Sequence, residues 1–345
     1  MVIATGAGDG VLLELRARDA FAKRDYVEAR KIARERAERA TGDGDQGTWW
    51  HMTFLEAECF RELGRYYDCI STAETLKAHA LTVASPELLC RVLTIRSVAA
   101  QGAGELADAL EFATSAVALS ESAELRSEIR VAALTALVAA LAENDRMDEA
   151  WQQCQCLIKL LHTLNDAQMA GKGYWAVGNV AFLRQDPSEG VRYHQLAAEH
   201  LSPSNDLSLW AWFNRASAAM RFAAGIADTE AEDCMDRAEL AASIIGLTDD
   251  VRRMNQLNRA HWHFHRGEVD EAAQLLVPIC VESPSMAHQT AGEANLLLSK
   301  TLRVKGDCDA ALRHLKDSRA YFDQSGAKDR AEQVAAEIAG FPQAS

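Results

Sequence analysis

Apolar residues recur at steps of three and four along nearly the whole chain. The clearest case is residues 256–276, QLNRAHWHFHRGEVDEAAQLL. Leu257, Ala260 and Phe264 share one face of a helix that stops at Gly267, where a left-handed residue is needed. A second helix opens with Glu268, Asp270 and Glu271 against its positive N-terminal dipole and continues through Ala272, Ala273, Leu275 and Leu276. One such hairpin cannot bury its own apolar face, so the pattern calls for stacked neighbours.

The rest of the chain supplies them. Turns at residues 23–26, 63–66, 102–105, 144–147, 185–188, 267–269 and 305–307 are each followed by a small residue: Ala29, Cys69, Ala109, Ala150, Gly190, Ala272 and Ala311. These anchors are spaced by 40, 40, 41 and 40 residues, then by 82 for two repeats, then by 39. About twelve positions before each stands another small residue (Ala17, Ala57, Ser97, Gly178, Ala260, Ser299), with Val138 the less regular member. Two helices approach closely only where both present small side chains. The sixth unit has a longer turn, 225–229, with Thr229 and Glu232 forming a capping box; matching 214–216 to 258–260 sets its register. Helix breakers and caps fall between units, among them Ser85–Pro86 and Asp206, while Pro278 should end or kink the seventh unit's second helix.

The spacing predicts an all-α, right-handed superhelical solenoid of about eight antiparallel helix hairpins. A flexible start, 1–10, precedes units near 11–41, 48–82, 86–119, 122–163, 166–201, 206–246, 249–282 and 286–323, together spanning 11–325. A capping helix and tail follow at 326–345. Small residues at the crossings, Ala early in the second helix and the turn Gly64-Arg65-Tyr66 make the chain similar to tetratricopeptide-repeat proteins over residues 11 to about 325. The period near 40 exceeds the usual ~34 and the usual Trp is missing from most units. The longer period resembles sensor regions of bacterial regulators, including peptide-pheromone receptors. Those proteins add a DNA-binding or nucleotide-binding module, for which these residues leave no room. The resemblance implies a cytoplasmic bacterial protein or peptide binder, with no cofactor and no enzymatic activity.

Composition narrows the partners. A net charge of -14 without a dense Lys/Arg patch argues against direct nucleic-acid binding. The absence of a long apolar run argues against a membrane, and the N-terminus lacks a secretory pattern. Eight scattered cysteines without CxxC pairs read as small buried residues in a reducing compartment.

Candidate chemistry is sparse. His261 and His265, four apart, share a face and could bind a metal, but no third ligand is evident; alternatively they line the inner face while His263 packs between helices. The Gly-rich stretches 6–10 and 42–47 lack the surroundings of a phosphate or calcium loop. First helices of stacked hairpins line the inner face, which places Trp175, Asn179 and Phe182 there in unit five. The same reading places Trp210, Phe213, Asn214 and Arg221 there in unit six, and Asn258, His261, Phe264 and His265 in unit seven. In peptide-binding relatives, asparagines hold the ligand backbone through paired donors and acceptor, and the resemblance implies this for Asn179, Asn214 and Asn258. The competing reading has Asn214 and Asn258 bracing neighbouring helices. Glu14, Arg18, Glu58, Arg61 and Glu62 read as a solvated charged face. Trp151 reads as core, and of Trp49 and Trp50 at most one can be fully inside, the other serving as a partner contact.

The expected function is a scaffold holding a peptide or protein segment in its concave channel. A peptide-controlled regulator acting through a partner, a metal-dependent enzyme using His261 and His265, and a structural adaptor are the other readings. A homodimer is left open.

Overall fold

The structure, a computed structural model, describes residues 6–246 and 248–341. Among them there are eighteen α-helices and no strand. Eight of them open a hairpin, and each of these first helices is 17 residues long: α1 (Gly6–Ala22), α3 (Gln46–Glu62), α6 (Pro86–Gly102), α8 (Ser127–Glu143), α10 (Ala167–Leu183), α12 (Leu207–Ala223), α14 (Asp249–His265) and α16 (His288–Val304). Each is followed by a helix that packs back against it: α2 (Tyr26–Asp43), α4 (Tyr66–Lys77), α7 (Leu106–Ser122), α9 (Met147–Leu161), α11 (Pro187–His200), α13 (Thr229–Ile245), α15 (Val269–Glu282) and α17 (Cys308–Ser325). A short α5 (Ala80–Ala84) follows α4, and α18 (Lys328–Ala339) follows α17. The chain divides into two compact units, Met1–His200 and Leu201–Ser345.

Helix starts follow from side-chain caps. Asp45, Ser85, Asp166, Asp206 and Thr248 each stand one residue before a 17-residue helix, and each side chain accepts a hydrogen bond from the backbone N–H three positions on, at 2.6–3.3 Å. Each thereby satisfies a donor that the helix itself leaves unpaired.

Helix ends follow from backbone conformation. Two residues past the first helix of each hairpin the chain is left-handed: Arg24, Gly64, Gly104, Asp145, Gln185, Gly225, Gly267 and Gly306 have φ between 57° and 85°. This residue reverses the chain and lets the next N–H close on a carbonyl of the last turn, as Arg65 does on Phe60 at 2.8 Å.

The twelfth residue of each first helix sets the crossing. Ala17, Ala57, Ser97, Val138, Gly178, Ala218, Ala260 and Ser299 are all buried. Outside the sixth hairpin their counterparts twelve residues on are Ala29, Cys69, Ala109, Ala150, Gly190, Ala272 and Ala311, also buried. Where the residue is serine, its hydroxyl donates to the facing carbonyl, Ser97 to Ala109 and Ser299 to Ala311, both at 2.7 Å. The fifth hairpin is tightest: a Cβ on Gly178 would lie 2.2 Å from His194 Cδ2 and 3.2 Å from the Gly190 carbonyl oxygen.

Several expectations are revised. Helix α1 begins at Gly6, so Gly6–Gly10 are helical rather than part of a flexible start; residues 1–5 and the tail 342–345 lie outside the described residues. The cap that restarts the sixth hairpin is Asp228, whose carboxylate accepts from Ala231 N, rather than Thr229. Pro278 does not end α15, which runs on to Glu282 before a 3-10 turn at Ser283–Ser285. In the sixth hairpin the crossing residue is Ala218, not Ala216, so the alignment of 214–216 with 258–260 is displaced by two residues. Trp50 is the inner tryptophan of its pair, fully buried with its indole N–H donating to Thr82 Oγ1 at 2.7 Å. Trp151 is only half-buried, between the Arg184 guanidinium and the Tyr193 ring. Cys59, Cys69, Cys90, Cys154 and Cys234 are buried free thiols, whereas Cys156 and Cys308 are exposed.

In the first unit, Trp50, Phe54, Phe60, Leu76, Val92 and Ile95 form one continuous core between the second and third hairpins. In the second unit, α18 lays Ala331, Val334 and Ile338 over Leu296, Leu315 and Phe322, covering the apolar end of the last hairpin as expected of a capping helix. Among the described residues no helix is long and apolar enough to cross a membrane.

Candidate functional site

With the twelfth residue buried at the crossing, the sixth, ninth, thirteenth, sixteenth and seventeenth residues form the adjoining stripe of each first helix, since they are spaced by three and four. Hairpin five places Lys172, Trp175, Asn179 and Phe182 at these positions, hairpin six Trp212, Arg215, Ala219 and Phe222, and hairpin seven Met254, Leu257, His261, Phe264 and His265.

The sequence-predicted residues divide under this register. Trp175 and Asn179 are half-buried on the stripe of the first unit. Asn179 Oδ1 accepts from His194 Nε2 at 3.0 Å. Phe182 is buried against Gly190 and lies 5.0 Å from the His194 ring, so it fills the hairpin's interior instead of lining a channel. In the second unit Trp210, Asn214 and Arg221 lie off the stripe. Asn214 is 1% exposed and donates to the Trp210 carbonyl oxygen at 2.8 Å. Arg221 is 2% exposed and holds Asp228 at 3.0 Å, bracing the lengthened turn. Asn258 is buried and donates to the Arg215 carbonyl oxygen at 2.9 Å, tying α14 to α12. Burial thus commits both amide donors to the chain's own carbonyls, Asn214 within its own helix and Asn258 as a brace between two helices.

The histidines separate as well. His265 is exposed, and His261 is half-buried with its ring 6.0 Å from the Phe222 ring and 6.4 Å from that of His265. Burial, reinforced by His265 and then by Lys300 and Arg330, pushes the His261 imidazole down to about 3. It is therefore neutral near neutrality. His263 does not pack between helices; its Nδ1 meets Glu268 Oε2 at 2.7 Å.

Two stripe residues of the sixth hairpin escaped the sequence reading. Trp212 is 58% exposed, and Arg215 is half-buried with its guanidinium pKa lowered by desolvation. The signal that finds them is Asp206: aligned as an N-cap with Asp166 and Thr248, it fixes the register two residues away from the Asn-Arg-Ala match.

The first unit holds a second surprise. Glu58, read as part of a solvated face, has its carboxyl pushed upward by desolvation, and burial likewise lowers the Arg91 guanidinium. His51 and Lys172 are exposed, yet desolvation lowers the pKa of both, helped by Arg91 at His51 and by Arg61 at Lys172. Each of these side chains is open to water on one side and crowded by protein on the other.

No protein-family model matches the sequence, and no curated protein matches it. Solved structures do. A chain of the APC/C hetero-tetramer Cut9–Hcn1 superposes with a TM-score of 0.64 at 12% identity over 96% of this chain, which spans 57% of that one's length. The apo form of the quorum sensor NprR from B. thuringiensis gives 0.63 at 12% identity, covering 97% of this chain and 93% of that one. A Rap protein complexed with competence and sporulation factor gives 0.51 at 12% identity, covering 97% of each. The chain therefore has the tetratricopeptide-repeat-like fold of these proteins.

Proposed function

We propose that this chain is a non-enzymatic scaffold that holds a peptide or protein segment on the inner stripe of its first helices. The hairpin division stated above, eight units over residues 11–325 with a capping segment after them, belongs to the same proposal. One observation carries it. Stripe positions hold aromatic and polar side chains that reach the surface: Trp175 and Asn179, half-buried, in the first unit, and Trp212, His261 and His265, half-buried or exposed, in the second. Aromatic rings and amides of this kind supply contact area and paired donors and acceptors to an extended chain.

A second reading has the ligand control the scaffold's action on a partner protein in bacterial cytoplasm. The names of two neighbours, a quorum sensor and a Rap protein bound to competence and sporulation factor, favour it. Direct nucleic-acid binding, a membrane and a cofactor have no part in either reading, and a homodimer is compatible with both.

A displayed peptide library panned on the chain tests the proposal. It should return a consensus whose synthetic form binds, and Trp212→Ala should weaken that binding by about fivefold or more while the helical circular dichroism stays unchanged. Failure to enrich any peptide, or a consensus that binds Trp212→Ala and His265→Ala as it binds the parent, would count against the stripe as the binding surface.

A further inference from the structure

The sixth position of the first helices in the first unit reads Val11, His51, Arg91, Ala132 and Lys172, so three of the five hairpins carry a nitrogen base there. Arg18 and Glu58 occupy the thirteenth position beside them. Most arginines of this acidic protein are held by carboxylates, as Arg36 is by Glu14 and Arg96 by Glu74 and Asp108. Arg18, Arg91 and Lys172 form no ion pair among the described residues. Arg91 instead lies over the Phe54 ring at 4.3 Å and the Trp50 ring at 5.4 Å. A guanidinium that rests its face on aromatics keeps its in-plane N–H donors free for a planar, bidentate anion. The one carboxylate of the wall without a salt bridge is Glu58.

Desolvation lowers the pKa of both Arg91 and Lys172. Glu58 and Glu87 oppose this at Arg91, and Glu62 and Asp166 at Lys172, but among the described residues none of these carboxylates forms a salt bridge with either cation, and Glu62 and Glu87 are engaged by Arg61 and Arg126. Arg61 disfavours protonation of Lys172, and Arg126 and then Arg18 that of Arg91. Such repulsion is relieved by a ligand that brings carboxylates. The stacked hairpins offer it an extended track rather than a compact pocket.

We propose that the concave wall of the first unit, around Arg91 and Lys172, is an anion-reading subsite that selects peptide segments rich in Asp and Glu. The proposal rests on the peptide-binding reading above and adds the class of ligand and its place.

Three pools of fluorescent dodecapeptides, titrated against the full chain, test it: one with Asp or Glu at alternate positions, one with Asn and Gln in their place, one with Lys. The acidic pool should bind at least about tenfold more tightly than the Asn/Gln pool, and its binding should weaken as salt rises. Arg91→Gln and Lys172→Gln, which keep most of each stem, should each weaken it by about fivefold or more, with circular dichroism and thermal midpoint preserved. Equal binding of the acidic and Asn/Gln pools, or unchanged acidic binding in the folded double Gln variant, overturns the proposal. Single-stranded DNA bound as tightly as the acidic pool, and equally sensitive to the two variants, also overturns it by showing a general polyanion surface. If no pool binds while the displayed library yields a ligand, this subsite is refuted and the scaffold reading stands. If neither yields a ligand, the scaffold reading falls first.

Discussion

At one position of one repeated helix the two units of this chain differ in kind. The first unit carries His51, Arg91 and Lys172 at the sixth residue, beside Val11 and Ala132, and the second carries Trp212, Met254 and Glu293. The buried twelfth position, by contrast, is small in nearly every hairpin of both units. The difference separates two kinds of constraint. The crossing is set by how closely two helices must approach, a demand every hairpin shares. The stripe is under no such shared demand: Asn179 and Phe182 meet His194 of their own hairpin, whereas His51 and Trp212 are exposed, so its chemistry is free to differ from hairpin to hairpin.

If the crossing is common to both units, breaking it should be equally damaging in either. Gly178→Val in the first unit drives its side chain into His194 and the Gly190 carbonyl. Ala272→Leu in the second overfills a position that is fully buried in the core of its hairpin. Each should cost about 2–3 kcal/mol in urea unfolding, because a close-packed crossing has no free volume to accept a larger side chain. A neutral result in one unit alone would show that the shared geometry is only apparent there. Stripe changes such as Arg91→Gln should leave the same midpoint in place.

A smaller effect separates braces from binding residues. Asn258→Ala removes the donor to the Arg215 carbonyl oxygen between α14 and α12. The lost hydrogen bond and the unsatisfied carbonyl should destabilise the second unit by about 1–2 kcal/mol. Ligand binding by the folded variant should be nearly unchanged, whereas a groove asparagine would show the opposite pattern.

Why the sequence led to Asn214 and Asn258 is instructive. The repeat itself was legible because small residues, turns and caps recur with the period and depend only on local geometry. The stripe depends on register, and a two-residue displacement rotates a helical position by about 200°, enough to move Asn214 from the wall to the interior. The lengthened turn after α12 hid that displacement, although Asp206 would have exposed it. The cationic wall was illegible for another reason. Arg61 on α3 and Lys172 on α10 are far apart in the chain, and only the folded first unit brings them close enough to influence each other. No periodicity contains that information.

Protonation of the second unit's aromatic stripe gives a further contrast. The His261 imidazole is held down at about 3, so it stays neutral in the fold while the unfolded chain takes up a proton near the ordinary histidine value. A depressed histidine of this kind contributes stability above the unfolded pKa, and that stability is lost as the pH falls. Between pH ~6.5 and ~5 the unfolding free energy should drop by about 1 kcal/mol more in the parent than in His261→Phe, which keeps the stack on Phe222 but cannot be protonated. Parallel pH profiles for the two proteins would remove His261 from the account.

The least of the effects returns to the turns. The left-handed residue is glycine in all three hairpins of the second unit, at Gly225, Gly267 and Gly306. In the first unit it is Arg24, Asp145 and Gln185 in three hairpins of five. A residue with a Cβ loses about 1 kcal/mol or more in this conformation, while glycine gives part of that back through its greater freedom in the unfolded chain. Gln185→Gly, at an exposed turn where φ is 63°, should therefore stabilise the protein by about 0.5 kcal/mol. The reciprocal change, Gly267→Ala, should destabilise the second unit by about 1 kcal/mol, since an added Cβ meets no neighbouring atom there and the backbone conformation alone opposes it. Opposite signs at equivalent positions would show that the two units share a turn geometry and differ in how well their residues suit it; a Gln185→Gly variant less stable than its parent would mean that the glutamine makes a contribution the left-handed backbone does not explain.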